Sequence, residues 1–104
     1  MILEVAVLTI TPAQKAQFEA AFTEARKLIS AMPGFVSHQL HRCIETDGRY
    51  LLLVQWLTVE HHMVGFRQSQ QFQQWRALLG PFFAAAPAVE HYQPVSEGAM
   101  RPVG

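Results

Sequence analysis

The sequence is poor in several features that mark large classes of protein. It has a single cysteine, Cys43, which excludes an intrachain disulfide and favours a reducing, cytoplasmic compartment. Its eight basic and eight acidic residues give a formal net charge of zero and are spread along the chain. Proteins that bind nucleic acid gather Lys and Arg on one surface, so we expect no nucleic-acid partner.

Long hydrophobic runs are also missing. The apolar segment at the start of the sequence is interrupted by Glu4 and closed by Pro12, and no basic segment precedes it. This pattern argues against a signal peptide. No stretch approaches the ~20 apolar residues that a membrane span requires, so we expect no membrane partner either.

What the sequence does contain is enough apolar material for one packed domain. Half of its 104 residues are hydrophobic and only 15% are charged. Short segments rich in Val, Leu, Ile and aromatic residues predict four strands, at 2–10, 35–44, 49–57 and 89–95. We predict one domain over residues 1–95, followed by a C-terminal tail over residues 96–104.

Helices are predicted between these strands. Apolar residues three and four apart indicate a helix that begins with a capping box at 11–14 and stops at Pro33-Gly34. After the third strand, a short helix around His62 precedes a second helix that Ser69 can cap. The order strand, helix, strand, strand, helix, strand predicts an α+β fold, a ferredoxin-like βαββαβ subunit with an antiparallel sheet.

The first and third predicted strands are apolar at both odd and even positions. Both faces of the sheet should therefore be buried, yet the helices can cover only one face. An identical chain related by a two-fold axis is the simplest cover for the other face. The sequence thus predicts a homodimer.

Several motifs follow one another in an order and spacing that resemble a known family. The most specific of them are the strand-ending Trp56 and the later Ser69-x-x-Phe72. The others are Pro33-Gly34-Phe35, Leu40-His41-Arg42 and Val89-Glu90-His91-Tyr92. Together they resemble the antibiotic-biosynthesis-monooxygenase (ABM) family of the dimeric α/β-barrel superfamily, over roughly residues 1–95.

The resemblance implies a ferredoxin-like subunit whose sheet pairs with a second one to form a dimeric α/β barrel. It also implies a function, because the family includes oxygenases that use O₂ without metal or flavin. Our first hypothesis is therefore a cofactor-independent monooxygenase acting on a small aromatic or polyketide-like molecule. The alternative is a non-catalytic dimer of the same fold that binds a small apolar ligand or has a stress-related role.

Cofactor-free oxygenation needs a base, a partner for negative charge and apolar walls around the substrate. His62 is a candidate base, since a helical face can present it beside Phe66, four residues later. Arg76 is a candidate partner for an oxyanion. The candidate substrate-binding residues are the aromatic ones of the same segment: Trp56, Phe66, Phe72 and Trp75. Core packing is the competing interpretation of each aromatic residue. His62 has the alternative of a partly buried or surface histidine without a catalytic role, and Arg76 that of a solvated or helix-capping side chain.

The histidines do not predict a metal site. His38 and His41 are three apart on a strand and point to opposite faces, and the adjacent His61 and His62 diverge on a helix. Cys43 has no obvious companion ligand. We expect neither a metal nor a cofactor.

Haem degradation, another activity of the superfamily, is disfavoured by the sequence. The haem-degrading members carry an Asn on the first strand, a Trp in the helical segment and an iron-binding His ten residues later. Aligned through Trp56 and Phe72, this sequence has Phe66 in place of that Trp, Arg76 in place of the His, and no Asn in 2–10. An arginine stays protonated at neutral pH and cannot ligate iron.

Added haemin should accordingly give no sharp Soret band and no degradation with a reductant. The absence of a ligating side chain at Arg76 is the reason. The measurement is an absorbance titration of the protein with haemin. A tight, stoichiometric complex would contradict this prediction and make His61, His62 or His91 the candidate ligand.

Overall fold

The computed structural model describes residues 1–103 and forms every strand and helix that the periodicity predicts. The strands are β1 (Ile2–Thr9), β2 (Phe35–Arg42), β3 (Arg49–Trp56) and β4 (Ala88–Tyr92). The helices are α1 (Lys15–Ser30) and α2 (Gln70–Leu79). Short 3₁₀ turns lie at Pro12–Gln14 and Gly80–Phe82, and a π-helical turn spans His61–Phe66.

The four strands form one antiparallel sheet in the order β2-β3-β1-β4, with both helices packed on one face. This is the ferredoxin-like α+β fold, as predicted. Neither helix, nor any other in the described part of the chain, is long and apolar enough to cross a bilayer.

The helix starts were predicted with mixed success. Ser69 caps α2, because its Oγ accepts a hydrogen bond from the backbone N–H of Phe72 at 3.1 Å. The capping box at 11–14 was wrong: the Thr11 side chain makes no capping hydrogen bond, and α1 begins only at Lys15. Instead, the Gln14 N–H donates to the backbone carbonyl of Thr11 at 2.8 Å and closes a 3₁₀ turn.

Strand β4 ends at Tyr92 rather than at Val95. Pro94 follows closely, and a proline has no N–H to offer to a ladder. Residues 93–103 contain no helix or strand, and residue 104 lies outside the described residues. The domain limit at residue 95 stays a prediction.

Side chains of β1 alternate between the two faces of the sheet. Glu4, Ala6 and Leu8 point toward the helices and are buried. The core between sheet and helices is completed by Leu52, Val54 and Trp56 of β3, by Phe18, Phe22, Ala25 and Ile29 of α1, and by Trp75 and Leu79 of α2.

The opposite face of the sheet is covered by no helix of residues 1–103 and is apolar at its centre. Val5 lies opposite Leu53 and Val7 lies opposite Leu51, and all four side chains are only partly covered. Glu90 and other polar residues of the outer strands border this strip. We call it the open face. An apolar strip with a polar border is typical of a surface that meets another chain.

We predict that this face joins two copies of the chain, so that the wild type sediments as a dimer at micromolar concentration. Val5→Asp should dissociate the dimer and lower subunit stability, because an unpaired charge in an apolar interface costs several kcal/mol. Sedimentation equilibrium and urea denaturation measure the two effects.

Two controls separate the interface from the fold. Val5→Thr keeps the shape and strand preference of the side chain without a charge, and Ala20→Asp adds the same charge on the exposed side of α1. Both variants should remain dimeric. A wild type that sediments as a monomer at micromolar concentration would contradict the predicted dimer.

Candidate active site

A cavity of about 500 Å³ lies between the sheet and helix α2, within the size range of small-molecule sites. The helix-facing residues Glu4, Ala6 and Leu8 of β1 form its floor, together with Leu52 and Val89 on the neighbouring strands. Its other lining side chains are mostly apolar or aromatic, apart from His62 and two arginines. The cavity therefore suits a small, largely apolar molecule.

Two hydrogen-bonded pairs of side chains meet at the floor and form a cluster of four. Trp56 Nε1 donates to Oε1 of Glu4 at 2.9 Å, and His62 Nε2 lies 3.3 Å from the same oxygen. The other nitrogen of the His62 ring, Nδ1, is 2.8 Å from Nε2 of His91. Glu4 and His62 are 5% and 3% exposed, so this contact between ionisable groups is almost completely removed from solvent.

The sheet register and the π-helical turn bring this cluster together. His91 on β4 is the direct cross-strand neighbour of Glu4 on β1. The π turn, in which the Arg67 N–H donates to the His62 carbonyl at 2.9 Å, buries His62 and Phe66 on the same side. The His62 ring then stacks on Trp56, with centroids 5.5 Å apart and planes at 21°.

Gly34 allows the π turn to approach the sheet closely. Its φ is +82°, a conformation that side chains other than glycine rarely adopt. A Cβ at this position would lie 2.2 Å from the ring of His61. His61 is also held by Thr58, whose Oγ1 is 2.7 Å from its Nδ1. With His61 fixed against Gly34, the next residue, His62, points into the core.

Burial moves both ionisable groups toward their neutral forms. Desolvation raises the pKa of Glu4 to about 7, although the Trp56 hydrogen bond and the positive charge of Arg67 oppose the increase. Desolvation, together with His91 and Arg67, lowers the pKa of His62 to about 4. Near neutral pH, His62 is uncharged and Glu4 exchanges its proton readily. A carboxyl with a pKa close to the working pH suits acid–base chemistry.

Two arginines lie beside the aromatic wall. The Arg67 and Arg76 guanidinium carbons are 5.1 Å and 6.0 Å from the ring centroid of Phe72, and both residues line the cavity. Neither makes an ion pair with any of residues 1–103. Their charges are thus available to a negatively charged group of a ligand.

The structure brings most of the predicted site residues together. His62, Phe66, Phe72, Trp75 and Arg76 all line the cavity. Trp56 does not: its side chain is fully buried, and it contacts the cluster through the Glu4 carboxylate and the His62 ring. Trp56 therefore supports the floor of the cavity from behind.

Sequence reasoning missed Glu4, His91 and Arg67. The signal for Glu4 was present, because it is the one charged residue in the apolar segment 2–10 and shares the phase of Ala6 and Leu8. A charged residue in the buried phase of a strand is uncommon and indicates a function or a specific partner. His91 and Arg67 carried no comparable signal.

No three His, Cys, Asp or Glu side chains within residues 1–103 are arranged to hold a metal ion. His62 shows why the cluster does not qualify. It turns opposite ring nitrogens toward Glu4 and His91, so one ion cannot bind all three groups.

Comparison with known proteins agrees with this fold. The model of the family "Antibiotic biosynthesis monooxygenase" matches residues 1–78, which is more than half of the chain. The chain belongs to the antibiotic biosynthesis monooxygenase family.

Relatives of this protein resemble it over nearly its whole length. The Bacillus subtilis (strain 168) protein YczJ is 45% identical over 95 residues, which are 91% of this chain and 100% of YczJ. A Bordetella bronchiseptica structure, provisionally assigned as an antibiotic biosynthesis monooxygenase, is 46% identical with a TM-score of 0.88. The match covers 91% of this chain and 97% of that one.

A more distant structural match is SnoaB from Streptomyces nogalater, a cofactor-independent oxygenase. It is 20% identical with a TM-score of 0.70, and the match covers 97% of each chain. At this level of identity the likeness shows a shared fold.

Glu4 and His62 should make opposite contributions to the pH dependence of the free energy of unfolding. The native state holds the Glu4 proton up to pH about 7, so this group lowers stability as pH rises above its ordinary value of 4.5. The native state excludes a proton from His62 down to pH about 4, so this group raises stability as pH rises toward 6.5. In the wild type the two contributions oppose each other.

Single substitutions should expose each contribution. Relative to the wild type, Glu4→Gln should gain stability more steeply between pH 4.5 and 6.5, and His62→Gln should lose stability over the same range. Each difference should be on the order of 3 kcal/mol. Urea denaturation across this range measures it, with Glu24→Gln on the exposed side of α1 as control. Profiles parallel to the wild type would contradict the assigned protonation states.

Proposed function

We propose that the protein is a cofactor-independent monooxygenase that oxidises a small aromatic or polyketide-like molecule with O₂. The observation that carries the proposal is the buried Glu4–His62 pair at the floor of a largely apolar cavity. Family membership supports the same reaction class.

The cavity offers what such a reaction needs. A phenol, enol or activated methylene must lose a proton before its carbon can transfer electrons to O₂, and the Glu4–His62 pair is an acid–base group in the right place. The anion formed needs a positive partner, which Arg76 supplies together with Arg67. Apolar walls such as Phe72 and Trp75 keep water from the reacting anion.

The overall reaction balances without an external reductant. In an anthrone, for example, the ring methylene becomes a carbonyl and loses four electrons. O₂ accepts these electrons, one oxygen atom enters the product, and the other leaves as water with the two methylene hydrogens. The protein orients the substrate, accepts the first proton and stabilises the anion.

We further propose that the working unit is a cytoplasmic homodimer. Members of this family are commonly dimeric, and the open face offers an apolar surface of the right kind. The single Cys43 favours a reducing compartment.

The purified dimer should consume O₂ with an anthrone after metal and flavin have been removed. His62→Ala should lower the rate by about a hundredfold or more, the usual contribution of a positioned acid–base group. Arg76→Ala should slow the same reaction because the anion loses a positive partner, whereas Trp75→Ala should act mainly on binding or stability. An oxygen electrode measures the rates.

Arg26→Ala, on the exposed side of α1 and outside the cavity, is the matched control for Arg76→Ala. Folded variants are compared by circular dichroism. Full activity of both His62→Ala and Arg76→Ala would remove these two residues from the site. A wild type that binds the anthrone but consumes no O₂ would instead favour a non-catalytic, ligand-binding role.

A further inference from the structure

Both ring nitrogens of His62 are already engaged by the protein. Nε2 faces Oε1 of Glu4 at 3.3 Å and Nδ1 faces His91 at 2.8 Å. The ring is 3% exposed and is stacked against Trp56 on one side. A ligand in the cavity would have to break one of these contacts to reach a nitrogen of His62.

Glu4 differs from His62 because one of its oxygens is free. Trp56 and His62 both contact Oε1, and no hydrogen bond from residues 1–103 reaches Oε2. Every fully buried polar side-chain atom in this part of the chain has a hydrogen-bond partner. Because Glu4 lines the cavity, Oε2 must be open to that space.

A purely structural role does not explain a carboxyl group at this position. Accepting one hydrogen bond from the Trp56 indole needs only a neutral carbonyl oxygen, which Gln supplies at the same length. A carboxylate in a buried site carries a desolvation penalty that an amide does not. The ionisable group and its unused oxygen therefore point to a task in the cavity.

We propose that Glu4, through Oε2, is the acid–base residue that meets the ligand, and that His62 is the residue that positions it. The inference rests on the proposed oxygenase function and assigns its proton-transfer step. In that step the O–H or C–H bond of the substrate breaks, its electron pair stays on the substrate, and a new O–H bond forms at Oε2.

The substrate class follows from this assignment. The ligand enters as a neutral phenol, enol or activated methylene and becomes an anion, while Glu4 becomes neutral. The charged groups beside the reacting pair are then Arg67 and Arg76 on the cavity wall. His62 and His91 lie behind the carboxyl. A substrate that is already anionic would meet the ionised Glu4 and be repelled above neutral pH.

Carbodiimide labelling tests the accessibility of Oε2 without a known substrate. Dicyclohexylcarbodiimide is apolar and adds to protonated carboxyl groups that an apolar space exposes, leaving a stable acylurea. We expect mass spectrometry to find Glu4 labelled in the intact wild-type protein, with labelling lost as pH rises through about 7. Failure to label Glu4 while surface carboxyls such as Glu24 react with a water-soluble carbodiimide would overturn the proposal.

His62→Phe tests the positioning role through the pH midpoint of Glu4 labelling, a quantity that a loss of packing alone would not change. Phe keeps a ring against Trp56 but removes the contact to Glu4 and adds an apolar neighbour. The pH midpoint of Glu4 labelling should therefore move upward, while His62→Gln, which keeps a donor, should shift it less. An unchanged midpoint in His62→Phe would show that His62 does not act on Glu4.

The rate of O₂ consumption provides a second test of the role of Glu4. Glu4→Gln should lower O₂ consumption with the anthrone by at least about a hundredfold, and Glu24→Gln should not change it. A fully active Glu4→Gln variant would overturn the assignment even if Glu4 is labelled. If the wild type consumes no O₂, the oxygenase function fails, and labelling alone decides whether Glu4 is the acid–base group of the cavity.

Discussion

Strand β1 carries the constraint on which the rest of the structure depends. It pairs with β3 on one side and β4 on the other, and its side chains alternate between the helices and the open face. A register slip of one residue would turn Glu4 outward and Val5 inward. The pairing of this one strand therefore fixes both the polar floor of the cavity and the apolar surface behind it.

The polar floor is stable because burial favours the neutral forms of both Glu4 and His62. A charged Glu4 or a charged His62 would each carry a desolvation cost, and burial moves both pKa values away from the charged form. A neutral imidazole keeps one donor and one acceptor nitrogen, which is what contacts with Glu4 and His91 on opposite sides require. The burial that favours neutral Glu4 also brings its pKa to about 7, so the carboxyl can gain or lose a proton near neutral pH. The same packing therefore serves both stability and acid–base chemistry.

The fold could be predicted from the sequence because its signals are local. Apolar periods, Pro33-Gly34 and the Ser69 cap each act within a few residues, and together they give the order of the elements. The cavity-lining residues from Phe66 to Arg76 were accessible for the same reason, since one segment carries them. Glu4 and His91 were missed because their meeting with His62 depends on sheet register and on the π turn. Trp56 was predicted to contact the substrate, but it lies behind the Glu4 carboxylate, on the side away from the cavity. The spacing of aromatic residues in the sequence does not distinguish these two positions.

The floor of the cavity and the open face are opposite sides of the same strands. Glu4 lies beside His91, and the next pair along the ladder, Val5 and Glu90, points the opposite way. In the proposed dimer, a second sheet would press on the open face directly behind the acid–base group. Because packed sheets deform little, this backing would hold the Glu4 carboxyl still, leaving adjustment to the α2 side and the loop at 83–87. Dimer formation would then contribute to the geometry of the site without placing any partner residue in the cavity.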